Sequence, residues 1–319
     1  RGNGQSIIAG YPWFADWGRD TFIAIRGLCI ARGNFDKATS ILLQWADSVS
    51  YGMLPNRFPD AGDEPEFNSV DASLWFIIAV HDLCEAAARS GHPITDPDSA
   101  RLWNAASEIV SRYSSGARHG IRMDTDGLLA CGEPGVQLTW MDARVGDRVI
   151  TPRTGKPVEV QALWVNALTA LSAREPCWSA VADRATASFR ERFWNQARGC
   201  LFDVVDVDHE HGSADATVRP NQILAIGGLP IQLLTGPRAE SVLKVVEQEL
   251  LTPAGLRSLA PGEPGYTPRY RGGPAERDSA YHQGTVWPWL IGPFVEAWLR
   301  VHGSTRTIRQ EANARFIQP

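Results

Sequence analysis

Two carboxyl side chains near the middle of the chain, Asp142 and Glu159, lie among residues that suit a buried polar site. Asp142 follows Trp140 and Met141, and apolar neighbours disfavour ionisation of a carboxyl group, as a general acid requires near neutral pH. Glu159 stands at the start of a helix-like segment, VEVQALWVNALTALSA, where a carboxylate also stabilises the positive end of a helix. Both interpretations of Glu159 stay open. The two acids together predict carboxylate-driven chemistry on a sugar.

The loop that joins these two acids, ITPRTGKP, carries two cations. Arg153 and Lys156 have side chains that bind anionic or hydroxyl-rich groups. Gln161 and Trp164 follow closely on the helix-like segment. The loop therefore predicts cationic contacts to a bound ligand.

Two acids near the beginning of the chain each precede a predicted helix. In ADWGRDTF, we expect Asp20 to cap the helix and also to pair with Arg19, so that the pair faces sugar hydroxyls. In NSVDASLW, Asn68, Ser69 or Asp71 is expected to cap the next helix. A hydroxyl-binding role for Asp71 is the alternative, because its position after a long loop matches that of Asp20.

A last polar group lies in RDSAYHQGTVWPW, where Asp278, His282 and Gln283 come just before Trp287. One interpretation is structural, with Asp278 paired to Arg277. The other is catalytic, because a cationic neighbour keeps a carboxyl group ionised, as a base that activates water requires.

Composition limits the class of protein. With a net charge of −5 and no basic stripe, the 319-residue chain is not expected to bind nucleic acid. No apolar segment is long enough for a membrane span, and the scattered histidines predict no metal and no other cofactor. In DVDHEHGS, a solvated loop is favoured over a weak metal site. Five dispersed cysteines indicate reduced thiols and a cytoplasmic protein.

Tryptophan is unusually frequent, with 12 residues. Indoles fill protein cores and also stack on sugar rings, and both interpretations stay open. Six of them lie in motifs rich in glycine, proline or acids: Trp13, Trp17, Trp140, Trp164, Trp287 and Trp289.

The periodicity of apolar residues predicts about ten helical segments, arranged as pairs, and almost no strands apart from a hairpin near CLFDVVDV. Long loops recur before every other helix, and loops of this length in a compact domain are usually functional. We expect an array of helix pairs with the long loops gathered at one end. RPNQILAIGG is among the predicted helical segments.

These motifs together resemble the C-terminal, amylo-α-1,6-glucosidase domain of glycogen debranching enzymes. The resemblance rests on AGYPWFADWGRDTFI, LPNRFPD with NSVDASLWF, TWMDARVGD with TPRTGKPVEVQALW, RPNQILAI and AYHQGTVWPWLIG, in order along essentially the whole chain. It implies an all-α fold, the (α/α)6 toroid, or six-hairpin barrel, of glucoamylases and trehalases. The ten predicted helices and the start at Arg1 suggest one catalytic domain, residues 1–319, truncated at its N-terminus and preceded by an upstream domain of a longer protein.

The resemblance also implies a reaction, the inverting hydrolysis of α-1,6-linked glucosyl branches in glycogen or limit dextrins. Asp142 matches the proposed general acid. The eukaryotic motif HQGPEW has a glutamate where this chain has Val286, so Asp278 is the first candidate for the base and Glu159 the second. The residues expected to bind the substrate are Trp17, Arg19, Asp20, Asp71, Trp140, Arg153, Gln161, Trp164, His282, Gln283 and Trp287.

Two alternatives remain at this point. One is another hydrolase on the same barrel, such as a trehalase-, α-1,4-glucosidase- or mannosidase-like enzyme. The other is a glucan-binding domain that has lost its base, which Val286 favours. In each case the partner is a glucan or oligosaccharide, with no nucleic acid and no membrane.

Overall fold

Helices dominate a computed structural model that describes residues 5–10, 14–58 and 65–318. Trp13 lies outside these ranges. Ten α-helices lie within them, and nine of these coincide with predicted segments: α1 Gly18–Leu28, α2 Phe35–Ala46, α3 Val70–Arg89, α4 Asp96–Ser115, α5 Val158–Ser172, α6 Ser179–Arg192, α7 Gly236–Glu249, α8 Pro274–Ala280, α9 Ile291–His302 and α10 Arg306–Ala312. The exception is α8. No helix of the described residues combines the length and apolarity needed to cross a bilayer.

The chain forms two compact units. Unit 1 comprises Arg1–Cys131, Leu138–Trp140 and Leu163–Asp183, and unit 2 comprises Gly132–Gln137, Met141–Ala162 and Arg184–Pro319. Helices α5 and α6 contribute residues to both units. The prediction of one N-terminally truncated catalytic domain stays a prediction, as does the gathering of the long loops at one end.

Unit 1 is built on α3, which is buried on every side over Val70–Val80. A helix that is apolar all round belongs in an interior, and α1 packs along it. Ser69 caps α3 by accepting a hydrogen bond from the Ala72 amide at 3.2 Å, which confirms the predicted cap. In the same unit, a two-stranded sheet follows α4 and consists of β1 Arg122–Met123 and β2 Leu129–Ala130.

Unit 2 contains helices and short antiparallel strands. Its strands are β3 Arg144–Val145 with β4 Arg148–Val149, β5 Lys156–Pro157 with β8 Val204–Val205 and β9 Ala214–Asp215, β6 Trp194–Asn195 with β7 Cys200–Leu201, and β10 Leu251–Thr252 with β11 Gly255–Arg257 and β12 Val286–Trp287. The hairpins near residues 194–215 confirm the prediction for CLFDVVDV. The sequence predicts almost no strands apart from one hairpin. The loops of unit 2 contain several more pairs of short antiparallel strands.

Two elements differ from the sequence prediction. RPNQILAIGG forms only a 3₁₀ turn, Pro220–Ala225, because Gly227 packs directly on α9: a Cβ atom there would lie 2.2 Å from the Pro293 carbonyl oxygen. Conversely, α8 lies in residues 256–289, a long segment rich in Gly and Pro that the sequence predicts as a loop. Its start is set by Pro274 and by Glu276, which accepts a hydrogen bond from the Gly273 amide at 2.5 Å.

Candidate active site

A buried group of charges lies where β5 leads into α5, and its centre is Arg153. Its guanidinium makes a bidentate contact with Glu159, with Nη2 at 2.6 Å from Oε2, and donates through Nε to Asp203 Oδ2 at 2.7 Å. Each of these three side chains is at most 2% exposed. We call Arg153, Glu159 and Asp203 the ion cluster. Charges this deep in a protein are tolerated only when paired.

Burial and pairing act in opposite directions on the pKa values in the ion cluster. Burial raises the pKa of Glu159, although the neighbouring Arg153 opposes this shift. Burial also opposes the charge of Arg153, but Asp203 and Glu159 outweigh it and raise the pKa of the guanidinium. Glu159 is thus held as the partner of an arginine and has almost no exposed surface. This environment favours a positioning role over that of a base in contact with water.

Two polar residues connect the ion cluster with the segment that precedes Asp142. Asn221 donates through Nδ2 to Asp203 Oδ1 at 2.8 Å, and its Nδ2 also lies 3.7 Å from the sulfur of Met141. Arg219 Nη1 lies at the same distance, 3.7 Å, from that sulfur. A thioether is a weak acceptor, but two donors fix its position. The side chain of Met141, the residue before Asp142, is therefore held by buried polar groups.

Arg219 also binds the segment near the end of the chain. Its Nη1 donates to the carbonyl oxygens of His282 at 2.9 Å and Ser258 at 3.0 Å, and its Nη2 donates to Gln283 Oε1 at 3.2 Å. Gln283 Nε2 in turn donates to Thr151 Oγ1 at 2.9 Å. The TWMDA and YHQGT segments, far apart in the chain, therefore meet at one guanidinium.

The candidate acid and the first candidate base lie on neighbouring elements of unit 2. Asp142 is half-buried and precedes β3, against which α8 packs. Asp278 lies on α8 and is also half-buried. Among the described residues, its carboxylate makes no hydrogen bond and no ion pair. The expected pair with Arg277 is not formed, because that guanidinium lies over the ring of Tyr270, 5.9 Å from its centroid.

Aromatic rings surround the YHQGT turn. The imidazole of His282 is fully buried and stacks on Trp287, with ring centroids 5.2 Å apart and an angle of 18° between the planes. Tyr281 meets the edge of Trp287 at 4.9 Å. The Trp287 Nε1–H donates to Thr285 Oγ1 at 3.0 Å. Trp287 is thus held by contacts on several sides, as a rigid platform for a sugar requires.

The sequence suggests that Arg19 pairs with Asp20. In the structure, Arg19 forms a bidentate pair with Asp71, which also lies in unit 1. Its Nε and Nη2 lie 2.7 and 2.9 Å from the two carboxylate oxygens of Asp71, and Ser69 Oγ accepts from Nη2 at 3.0 Å. Asp20 lies in the first turn of α1, whose N-cap is Trp17, so the predicted cap at Asp20 is wrong. Asp71 is 1% exposed and links the beginnings of α1 and α3.

The predicted tryptophan contacts have different surroundings. Trp164 is fully buried in unit 1, and its Nε1–H donates to the Gly127 carbonyl oxygen at 2.9 Å, which is the environment of a core side chain. Trp140 is 6% exposed, whereas Trp17 is half-buried, with Arg57 5.8 Å from its ring centroid. Among the indoles predicted to bind the substrate, only Trp17 and Trp287 therefore combine partial exposure with a fixed ring.

The polar residues beside the ion cluster face inward. Lys156 is 2% exposed and its Nζ lies 2.9 Å from Asp206 Oδ2, so the expectation that it binds a ligand is wrong. Gln161 is fully buried and donates to the Pro157 carbonyl oxygen at 3.3 Å. Arg153 is likewise occupied by two internal carboxylates. The cations of ITPRTGKP hold the loop in place.

Within the part of the chain that the structure describes, no group of three or more His, Cys, Asp or Glu side chains is placed to hold a metal ion. The DVDHEHGS turn is organised by Asp206, which accepts hydrogen bonds from Arg192 at 2.6 Å and from the Gly212 amide at 2.8 Å. This arrangement explains the acidic and histidine-rich turn as a structural one.

Sequence reasoning missed four residues of this site: Thr151, Asp203, Arg219 and Asn221. Arg219 and Asn221 belong to RPNQILAI, a segment that the sequence singles out but assigns to a helix. The turn that forms there presents their side chains to Asp203 and Met141. The sequence offered one signal for these two residues: the cation of Arg219 and the amide of Asn221 flank Pro220, a residue that favours a turn.

Comparison with known proteins gives a consistent result. A family model described as amylo-alpha-1,6-glucosidase matches residues 1–318. A glycogen debranching enzyme of Saccharomyces cerevisiae is 28% identical over an alignment that covers 97% of this chain and 26% of that protein. The chain therefore spans about a quarter of the length of this curated relative.

Solved structures show the fold. An uncharacterized conserved protein from Thermus thermophilus has a TM-score of 0.62 at 17% identity, covering 98% of this chain and 86% of that one. A GH63 mannosylglycerate hydrolase from the same organism, in complex with glucose, has a TM-score of 0.60 at 17% identity, with the same coverage. A GH78 rhamnosidase of Bacillus sp. GL1 has a TM-score of 0.52 at 17% identity, covering 72% and 22%. These likenesses confirm the predicted all-α fold class of the (α/α)6 type.

Proposed function

This chain belongs to the amylo-alpha-1,6-glucosidase family, and we propose that it hydrolyses α-1,6-glucosidic branch points in glycogen or limit dextrins with inversion. The family and the fold together support a glycoside hydrolase, and the predicted resemblance is confirmed. The α-1,6 specificity and a role in glycogen breakdown are the proposed part.

The observation that carries the proposal is the meeting of the TWMDA and YHQGT segments at Arg219. It holds Met141, the residue before Asp142, through its sulfur, and the turn after Asp278 through His282 and Gln283. Two half-buried carboxyl groups on adjoining elements of unit 2 are what glycoside hydrolysis needs.

The reaction divides between these two groups. Protonated Asp142 gives its proton to the leaving glycosidic oxygen as the bond from the anomeric carbon breaks. Ionised Asp278 takes a proton from a water molecule, whose oxygen attacks the anomeric carbon from the opposite face. Inverting glycosidases hold such a pair roughly 6.5–9.5 Å apart so that the water fits between them. The product is glucose of inverted anomeric configuration and a debranched glucan.

Asp278 is preferred as the base over Glu159 because of its surroundings. A base must be ionised, must reach water and must accept a proton without losing a structural bond. Glu159 is 1% exposed and bound to Arg153 at both oxygens, and protonating it would break the ion cluster. Asp278 is half-buried and makes no ion pair with the described residues.

Two of the predicted residues in unit 2, Trp287 and Gln283, are proposed to bind the glucosyl unit. Trp287 supplies a ring held by His282 and Tyr281. The amide of Gln283 is fixed by Arg219 and Thr151. In unit 1, Arg19 and Asp71 form a buried pair, and their predicted contact with sugar hydroxyls stays a prediction.

A second candidate function is glucan binding without hydrolysis. Val286, at the position of the glutamate in the eukaryotic motif, is 38% exposed at the start of β12. A carboxylate at this position would therefore be accessible, and this chain has none there. Glycogen binding without any release of glucose by the full-length protein would favour this alternative.

The proposed function is tested by replacing the acid. Asp142→Asn in the full-length protein is expected to lower glucose release from a phosphorylase limit dextrin by about a thousandfold, since general acid catalysis contributes roughly 10²–10⁴. Circular dichroism and the melting temperature should stay unchanged. Activity close to that of the unaltered protein would contradict the assignment.

A further inference from the structure

A loop of unit 2 that the active site does not use is anchored on the YHQGT turn. The Thr267 amide donates to the Gln283 carbonyl oxygen at 2.6 Å. The ring of Tyr266 packs on Gly284, where the backbone has φ +128° and a Cβ atom would lie 2.7 Å from the ring. Only glycine allows this approach. Residues 266–270 are therefore fixed relative to the turn.

The loop presents an exposed aromatic side chain at its end. Tyr270 is 47% exposed, and its ring centroid lies 5.7 Å from that of Tyr281. Tyr281 in turn contacts Trp287 at 4.9 Å and His282 at 4.8 Å. We call Tyr270, Tyr281 and Trp287 the aromatic strip. It leads from the turn held by Arg219 to the surface of the unit.

The chemistry of the outer end of the strip suits a sugar chain. The guanidinium of Arg277 lies 5.9 Å from the Tyr270 centroid, which stabilises the ring position and leaves N–H donors beside it. Arg269 and Arg271 flank the ring in the chain and are both exposed. An aromatic face covers the C–H surface of a pyranose, while cationic donors bind its hydroxyl groups.

We propose that Tyr281 and Tyr270, the outer part of the aromatic strip, form a subsite for the main chain of the branched glucan, on the far side of the scissile bond from the released glucose. Trp287, at the inner end of the strip, stays with the glucosyl unit. This inference rests on the proposed function for the placement of that bond. Tyr270 contributes the outer contact and Tyr281 the inner one. The subsite favours a substrate whose main chain extends beyond the branch point, since a short acceptor does not reach Tyr270.

The direct test is binding of maltoheptaose, a linear α-1,4 glucan without the α-1,6 bond, to the full-length protein by isothermal titration calorimetry. Tyr270→Ala is expected to weaken binding by about threefold to tenfold, the range that one aromatic contact contributes. Tyr270→Phe should bind as the unaltered protein does. The same Tyr270→Ala change should raise KM for limit dextrin by a similar factor with kcat unchanged.

Tyr51 offers a matched control on unit 1. It is 67% exposed and carries Arg118 4.9 Å from its ring centroid, so it shares the exposed phenol and the cation. Tyr51→Ala should leave maltoheptaose affinity unchanged. Equal affinity of the unaltered protein and Tyr270→Ala, equal losses in both variants, or no binding of maltoheptaose at all would overturn the inference.

The outcomes separate this subsite from the proposed function. If the protein releases no glucose from limit dextrin but its affinity for maltoheptaose depends on Tyr270, the hydrolase proposal fails and the subsite stands. If glucose is released and neither KM nor affinity changes in Tyr270→Ala, the subsite fails and the hydrolase proposal stands.

Discussion

Glu159 and Asp278 are carboxylates of the same unit in opposite environments. Glu159 begins α5 almost without exposed surface, with both oxygens on Arg153. Asp278 lies half-buried on α8, and its expected partner, Arg277, is turned toward Tyr270. A carboxylate bound to a cation at both oxygens holds structure together. Asp278 lacks the cationic neighbour that the sequence offered, so its case as the base rests on its partial exposure and on oxygens that are free of ion pairs with the described residues. The difference supports the proposal that Glu159 belongs to the scaffold and that Asp278 takes part in the reaction.

The largest effect that tests this difference is expected at Asp278. Asp278→Ala should lower kcat for limit dextrin by about a thousandfold, or about 4 kcal/mol of transition-state stabilisation, because a base contributes roughly 10²–10⁴. The melting temperature should change little, since the side chain makes no ion pair with the described residues. Ser279→Ala on the same helix is the control and should retain activity. A comparable loss in Ser279→Ala would show that α8 itself had been disturbed.

At Glu159 the effect should appear in stability. Glu159→Gln leaves Arg153 with one carboxylate, Asp203, and breaking a buried pair costs about 3 kcal/mol. Urea unfolding should show a lower free energy of unfolding, while kcat of the folded fraction stays within about threefold of the original. Unchanged stability with a kcat lowered a thousandfold would reverse the assignment of the two acids.

The third effect is smaller and depends on pH. Burial alone would raise the pKa of Asp206, but hydrogen bonds from Arg192 and Gly212, with Lys156 nearby, hold it well below its usual range. The folded pKa lies below the unfolded value of about 4, so the stabilisation is present above that pH and is lost as the pH falls toward the folded pKa. Asp206→Asn should cost about 2 kcal/mol at pH 7 and less below pH 4.

Asparagine also tolerates the left-handed backbone of residue 206, with φ 52°, so this substitution changes charge without adding backbone strain. Thermal unfolding at pH 7 and at pH 3 would measure the difference. A constant cost at both values would mean that the pairs with Lys156 and Arg192 do not contribute to stability.

Much of the fold could be predicted from the sequence, because amphipathic periods and capping residues are local. The segments that became α3 and α4 carry both signals, and Ser69 and Thr95 cap them. Where the prediction fails, the cause is a contact with a distant part of the chain. RPNQILAIGG has a helical apolar pattern, but its Gly227 lies against α9 and ends the turn, a contact that no local pattern contains.

The candidate site was predictable in its residue types and not in their pairing. Asp142, Gln283 and Trp287 stand out because acids, amides and indoles cluster in glycine-rich segments. The partners of Arg19 and Arg153 lie 52 and 50 residues away, at Asp71 and Asp203, and nothing in the spacing connects them. Adjacent residues of opposite charge suggested Arg19 with Asp20 and Arg277 with Asp278, whereas tertiary packing turned both arginines elsewhere.

The assignment of the base is tested most directly by azide rescue. In Asp278→Ala, removal of the carboxylate leaves space for azide, an anion that attacks the anomeric carbon without needing a base. Added azide should restore cleavage of an activated α-glucosyl fluoride and yield β-glucosyl azide, while Glu159→Ala should gain nothing. Rescue of Glu159→Ala in place of Asp278→Ala would contradict the account and make Glu159 the base.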